Sequence, residues 1–126
     1  MYLIDTNIFL EILLAQAKKV PCKQFLDAHR DSLSISDFSL HSIGVIAFRN
    51  NQEDVFEQFL QDILPQADIV TLSRAGYKKL ARVKQQFGLD FDDAYQYQVA
   101  QEHALEIVTL DSDFKHVQHA IHVLFL

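Results

Sequence analysis

Short apolar runs alternating with stretches of helical spacing constrain this chain more than any other feature. The runs at 2–4, 32–36, 69–72, 107–110 and 121–126 carry few alternating polar residues, as strands covered on both faces do. Between them, residues 6–16, 18–29, 39–50, 52–64, 74–87 and 91–105 read as helices. Val55, Phe56, Phe59, Leu60 and Ile63 share one helical face, and Pro65 ends that segment. Pro21 is tolerated in the first turn of its helix. Ser73 and Asp90 stand where N-caps belong, and Gly88 where a helix stops. Strand-then-helix repetition predicts a mainly parallel five-stranded sheet with helices on both faces, a three-layer α/β/α sandwich.

Composition narrows the class further. The 126 residues suit one domain spanning 1–126, large enough to bury a core without metal or disulfide. Hydrophobic residues at 49% against 22% charged argue against disorder. The single cysteine, Cys22, excludes an intrachain disulfide and a Cys-rich zinc site, and reads as a small buried residue. The opening MYLIDTNIFLEILLAQ has neither a basic leader nor a cleavage site, and acids interrupt its apolar character. A cytoplasmic protein with no membrane association is the expectation. A net charge of −6 argues weakly against nucleic-acid binding.

The acids are placed where an α/β sheet does its chemistry. Functional groups gather at the carboxyl ends of strands in open parallel sheets. Asp5 directly follows the first run and Asp111 the fourth. The helix over 91–105 feeds the fourth strand through a short connection and runs antiparallel to it. Its first turn, with Asp92 and Asp93, therefore lies at the same edge. Asp93 is in line with Tyr97, Ala100 and Ala104, a stripe suited to facing the sheet. Asp92 points about 100° away, toward Gln96, Val99 and His103. Asp5, Asp93 and Asp111 are thus expected to meet. Carboxylates that close repel unless a cation or a proton intervenes. Oxygen ligands with no cysteine nearby select Mg2+ or Mn2+. The competing reading of each acid is a cap or turn former.

With these residues in place, the chain resembles the PIN-domain nucleases, in particular the VapC-type toxins of bacterial toxin–antitoxin pairs. The resemblance spans nearly the whole chain and is carried by LIDTNIFLEILL (3–14) and DDAYQYQVAQEHALEIVTLDSDF (92–114). It implies a PIN-like fold with metal-binding catalytic acids at Asp5, Asp93 and Asp111. Asp113 would be the accessory acid, and Thr6 and Asn7 the small polar pair after the first. It implies cleavage of single-stranded RNA by a metal-activated water, and inhibition by an antitoxin whose segment blocks the acidic groove. One position departs from the pattern: where the family usually carries a fourth acid, a Glu, this chain has Ser42 beside His41. A serine can hold a water but adds no charge, so Asp92, Asp37 or Glu11 would have to compensate. A second reading follows, a PIN-like module that binds RNA or a partner without turnover.

Three further features bear on function. Arg74, Lys78 and Arg82 recur at i, i+4 and i+8 of the helix expected over 74–87, a stripe that an RNA backbone could track, or simply a solvated face. His116, His119 and His122 hint at zinc, but no fourth ligand is evident and surface histidines are favoured. Phe9, Ile12, Leu13, Phe56, Phe59 and Leu60 read as core, although such stripes also permit a homodimer. A phosphoacceptor receiver domain has similar length and alternation. It needs an acidic pair after the first strand and a lysine after the last, and both are missing.

Overall fold

A computed structural model describes all 126 residues. The chain runs β1 (Tyr2–Ile4), α1 (Thr6–Leu13), α2 (Lys19–Ala28), β2 (Leu33–Ser36), α3 (Asp37–Arg49) and α4 (Glu53–Ile63). It continues through β3 (Ala67–Val70), α5 (Arg74–Tyr77), α6 (Leu80–Phe87), α7 (Phe91–Glu102), β4 (Glu106–Thr109) and β5 (Val123–Phe125). Short 3-10 turns cover Arg30–Ser32 and Ser112–Val117. All five strands are parallel, in the order β3-β2-β1-β4-β5.

Alternation along β1 divides the interior in two. Leu3 and Ile107 face one side, where α6, α7 and the 3-10 turn after β4 supply Leu80, Val83, Val99, Phe114 and Val117. Ile4 and Val108 face the other, packed by Ile8, Phe9, Cys22, Leu26, Ile43 and Phe59 of α1–α4. The expected three-layer sandwich is therefore what the chain forms, with its sheet covered on both faces. Ile12, Leu13, Phe56 and Leu60 pack against the second core, in keeping with their reading as core residues. No helix is long and apolar enough to cross a membrane.

Capping places the helices as expected. Ser73 Oγ accepts from Gly76 N–H at 3.0 Å, and Asp90 Oδ1 from Asp93 N–H at 2.9 Å. Gly88 ends α6 with φ +69°, a left-handed cap that a side chain strains.

Most element ends differ from expectation by one to three residues, and three differences have a clear physical cause. The third strand spans Ala67–Val70 instead of 69–72. It is an edge strand, so Asp68 and Ile69 can stay exposed and the apolar run does not mark its limits. α3 starts two residues early, because Ser36 Oγ caps it by accepting from Ser39 N–H at 3.0 Å. The helix expected over 74–87 is two helices. A tight turn at Lys78–Lys79, closed by Lys79 N–H to Gly76 O at 3.0 Å, separates α5 from α6. The spacing of Arg74, Lys78 and Arg82 therefore does not define one helical face. The three are exposed on two helices and the turn between them.

Candidate metal centre

The order of the strands fixes where a site can form. From β1 the chain steps outward to β2 and β3, then returns to the other side of β1 to lay down β4 and β5. The switch point falls between β1 and β4, and a crevice opens at their carboxyl ends. Tyr2, Leu3 and Ile4 pair with Glu106, Ile107 and Val108, which sets Asp5 level with Thr109.

Asp5 is buried and caps α1. Its Oδ1 accepts from Thr6 N–H at 2.8 Å and from Gln96 Nε2 at 3.2 Å, and its Oδ2 accepts from Thr109 Oγ1 at 2.7 Å. The same Thr109 hydroxyl accepts from Asp111 N–H at 2.9 Å. One residue thus orients the acids at the ends of both central strands. Asn7 joins α1 to the end of β4: its Oδ1 accepts from Leu110 N–H at 3.2 Å and its Nδ2 donates to Thr109 Oγ1 at 3.4 Å. Thr6 Oγ1 and Ser39 Oγ share a hydrogen bond at 2.8 Å, and Gln96 Nε2 donates to the same Ser39 oxygen at 2.8 Å. Thr6 and Asn7 therefore hold the site's frame.

Above this frame the carboxylates converge. One oxygen from each of Asp93, Asp111 and Asp113 lies within 4.8 Å of the others. Asp93 is buried in the first turn of α7, Asp111 is half-buried, and Asp113 is exposed with its N–H bonded to Asp111 Oδ1 at 2.9 Å. Asp5 lies outside that set of oxygens but within range of its charges. Burial above all, then the charges of Asp111, Asp90, Asp5 and Asp113, push the Asp93 carboxyl up to about 7. Burial also raises Asp5, against the pull of its hydrogen bonds from Thr109, Gln96 and Thr6, with Asp111 adding a smaller push in the same direction. Two buried acids that resist ionising beside a half-buried third describe a pocket short of positive charge.

The donor chemistry fits a hard divalent cation. Three carboxylates converge with no Cys or His among them, which suits Mg2+ or Mn2+ and not zinc. Asp5 has used three of its roughly four acceptor positions, so one on Oδ2 stays open. Gln96 Oε1 is buried beside it with no partner.

The remaining candidates separate cleanly. Asp92 is exposed and outside the cluster. Ser42 is half-buried and brings no charge. Glu11 Oε1 accepts from Lys18 N–H at 2.7 Å, and Asp37 Oδ1 accepts from the Tyr95 hydroxyl at 2.6 Å, so each acid is engaged elsewhere. His116, His119 and His122 are exposed and form no metal-ligating group. Gln96, Thr109 and Ser39 escaped the sequence reading. Helical spacing puts Gln96 on the Asp92 side of its helix, yet it also lies three residues from Asp93, and that spacing is the available signal.

Comparison with known proteins bears on the same geometry. The PIN domain family model matches residues 2–120. A toxin–antitoxin complex from Klebsiella pneumoniae contains a chain 26% identical, with a TM-score of 0.76 and coverage of 98% of this chain and 96% of that one. FitAcB from Neisseria gonorrhoeae is 20% identical over 98% of this chain and 96% of its own, with a TM-score of 0.81. VapC20 from Mycobacterium tuberculosis, described as a Sarcin-Ricin loop cleaving toxin, is 12% identical with a TM-score of 0.79 and covers 96% of each chain. The last two speak for the fold alone. No curated protein matches the chain. The five parallel strands, the acids at their switch point and a family match over nearly the full length agree: this chain belongs to the PIN domain family.

Proposed function

We propose that the chain is a Mg2+- or Mn2+-dependent endoribonuclease, the toxin of a toxin–antitoxin pair, cutting single-stranded RNA in the cytoplasm. The observation that carries the reading is the convergence of Asp93, Asp111 and Asp113 above the fixed carboxylate of Asp5. Asp93, Asp111 and Asp113 would hold the ion, with Asp5 contributing its open Oδ2 position. When bound, such an ion orients the phosphodiester, acidifies nearby water and offsets charge on the leaving oxygen. The chain's own part is positioning. Thr109 and Gln96 keep Asp5 from rotating, Asp90 anchors the turn that presents Asp93, and Asn7 locks the ends of β1 and β4 together. The Klebsiella neighbour, taken from a toxin–antitoxin complex, supports an antitoxin as the protein partner.

RNA incubated with the purified chain and Mn2+ should be cleaved, and Asp5→Asn should lower the rate at least about 100-fold. Cleavage that survives both this change and EDTA would reject the assignment.

The uncharged Ser42 favours one second reading, a weakened site that binds RNA or a partner without turnover. Ser42→Glu separates the two. A large gain in metal affinity or cleavage identifies a site weakened by the missing acid, and no change removes that account.

A further inference from the structure

A second cleft opens beside the acids, on the β2–β3 side of the same sheet edge. It has a volume of about 410 Å3 and is walled by Asp37, Phe38, His41, Tyr77, Phe91 and Tyr95. Helix α7 stands between the two sites. Phe91 and Tyr95, one turn apart, face the cleft, whereas Asp93 projects about 200° around the helix from Phe91. The strands that end at the acids and the strand that leads into Asp37 are neighbours. The two sites are therefore about one helix diameter apart, roughly 10–12 Å.

The walls select a flat ligand. Phe91 is 59% exposed and Tyr77 51%. Tyr95 is the buried ring between Phe38 and Tyr77, each 5.7 Å from it centre to centre. Asp37 is held from behind: Leu72 N–H donates to the Tyr95 oxygen at 3.3 Å, and the Tyr95 hydroxyl donates to Asp37 Oδ1. Oδ2 makes no hydrogen bond within the chain and offers acceptor positions only. Aromatic rings with an oriented carboxylate repel phosphate and attract a π-faced ring that carries adjacent N–H donors. Among the nucleobases, guanine has that edge, with N1–H and the 2-amino group side by side. Adenine and cytosine present an amino donor without the neighbouring ring N–H.

We propose that this cleft is a nucleobase subsite that takes a guanine next to the scissile phosphate. The inference rests on the ribonuclease reading above for its context, but binding in the cleft can be measured without cleavage. Metal-free protein in EDTA is titrated with guanosine, inosine, adenosine and cytidine while its aromatic proton resonances are followed. Guanosine should shift the Phe91 and Tyr77 signals and bind at least about fivefold tighter than adenosine or cytidine, and inosine, which keeps N1–H but lacks the 2-amino group, should fall between them. Asp37→Asn should bring guanosine to the level of adenosine. Phe91→Ala should weaken every nucleoside about fivefold or more, and Phe91→Tyr should restore binding.

Equal affinity for all four nucleosides, or no shift of these resonances at saturation, overturns the proposal. So does a Phe91→Ala chain that changes sedimentation and not nucleoside binding, because a second copy would then cover the cleft. Nucleoside binding without Mn2+-dependent cleavage leaves the subsite standing and removes the nuclease. Cleavage without nucleoside binding does the reverse.

Discussion

Asp5 is fixed before any cation arrives, since three donors from three parts of the chain converge on one carboxylate. That preorganisation makes the donors as telling as the acid. Thr109→Val keeps the shape of the residue and removes the hydroxyl that orients both Asp5 and Asp111. Calorimetric titration with Mn2+ should show a loss of about 10–100-fold in affinity. The Asp93 carboxyl gives a second test. Its folded-state value near 7 lies above the ordinary 3.8, so the folded chain binds the extra proton. Stability of the metal-free protein should therefore rise as pH falls from about 7 toward 4, and decline as pH climbs through 7. Thermal melts of Asp93→Asn in EDTA should show a flatter profile and a higher midpoint above pH 7, and an unchanged profile contradicts the burial argument. The placement of Asp5, Asp93 and Asp111 at one sheet edge was legible in the sequence because strand ends and first helical turns can be read from apolar runs, whereas the convergence of Asp113 in place of Asp5 was not. Thr109, Ser39 and Gln96 were not, because polar residues inside a strand or a helix acquire meaning only when distant segments meet.

At the level of elements, local chemistry and tertiary context divide the work. Ser36, Ser73 and Asp90 each cap the helix that follows, and Gly88 closes α6 in the left-handed conformation. Such termini depend on neighbours a few residues away, so they can be read directly. Gly88→Ala places a side chain at φ +69°, where its nearest neighbour, His116 Nδ1 at 4.0 Å, makes an ordinary contact. The cost is thus conformational, about 1 kcal/mol, and chemical denaturation should show it as a lowered midpoint with an unchanged slope. The break between α5 and α6 was not readable, since nothing in RAGYKKLARVKQQF forbids a continuous helix. Glu102 of α7 instead fastens the start of α5, accepting from Ser73 N–H at 3.0 Å and from its hydroxyl. The basic residues consequently lose their common face, and an RNA path along α5 and α6 has no regular stripe to follow. β3 slipped for a related reason, because an edge strand is defined by its partner β2 and not by its own hydrophobicity.

The whole molecule gains its site from topology. An all-parallel sheet of order β3-β2-β1-β4-β5 has one switch point, and the acids stand there. The layers and the sheet could be anticipated from alternation alone, since parallel strands need helical crossovers. Strand order could not, because each crossover could pass to either side of the sheet. The net charge of −6 is in part the cost of gathering acids at one edge, and a bound divalent ion would relieve it there. The central claim is that those acids share one cation. Crystals soaked in Mn2+ and measured for anomalous scattering test it most directly. A single strong peak among the carboxylates of Asp93, Asp111 and Asp113, within ligand reach of Asp5 Oδ2, is the expected result. Manganese bound elsewhere on the chain with that pocket left vacant would contradict it.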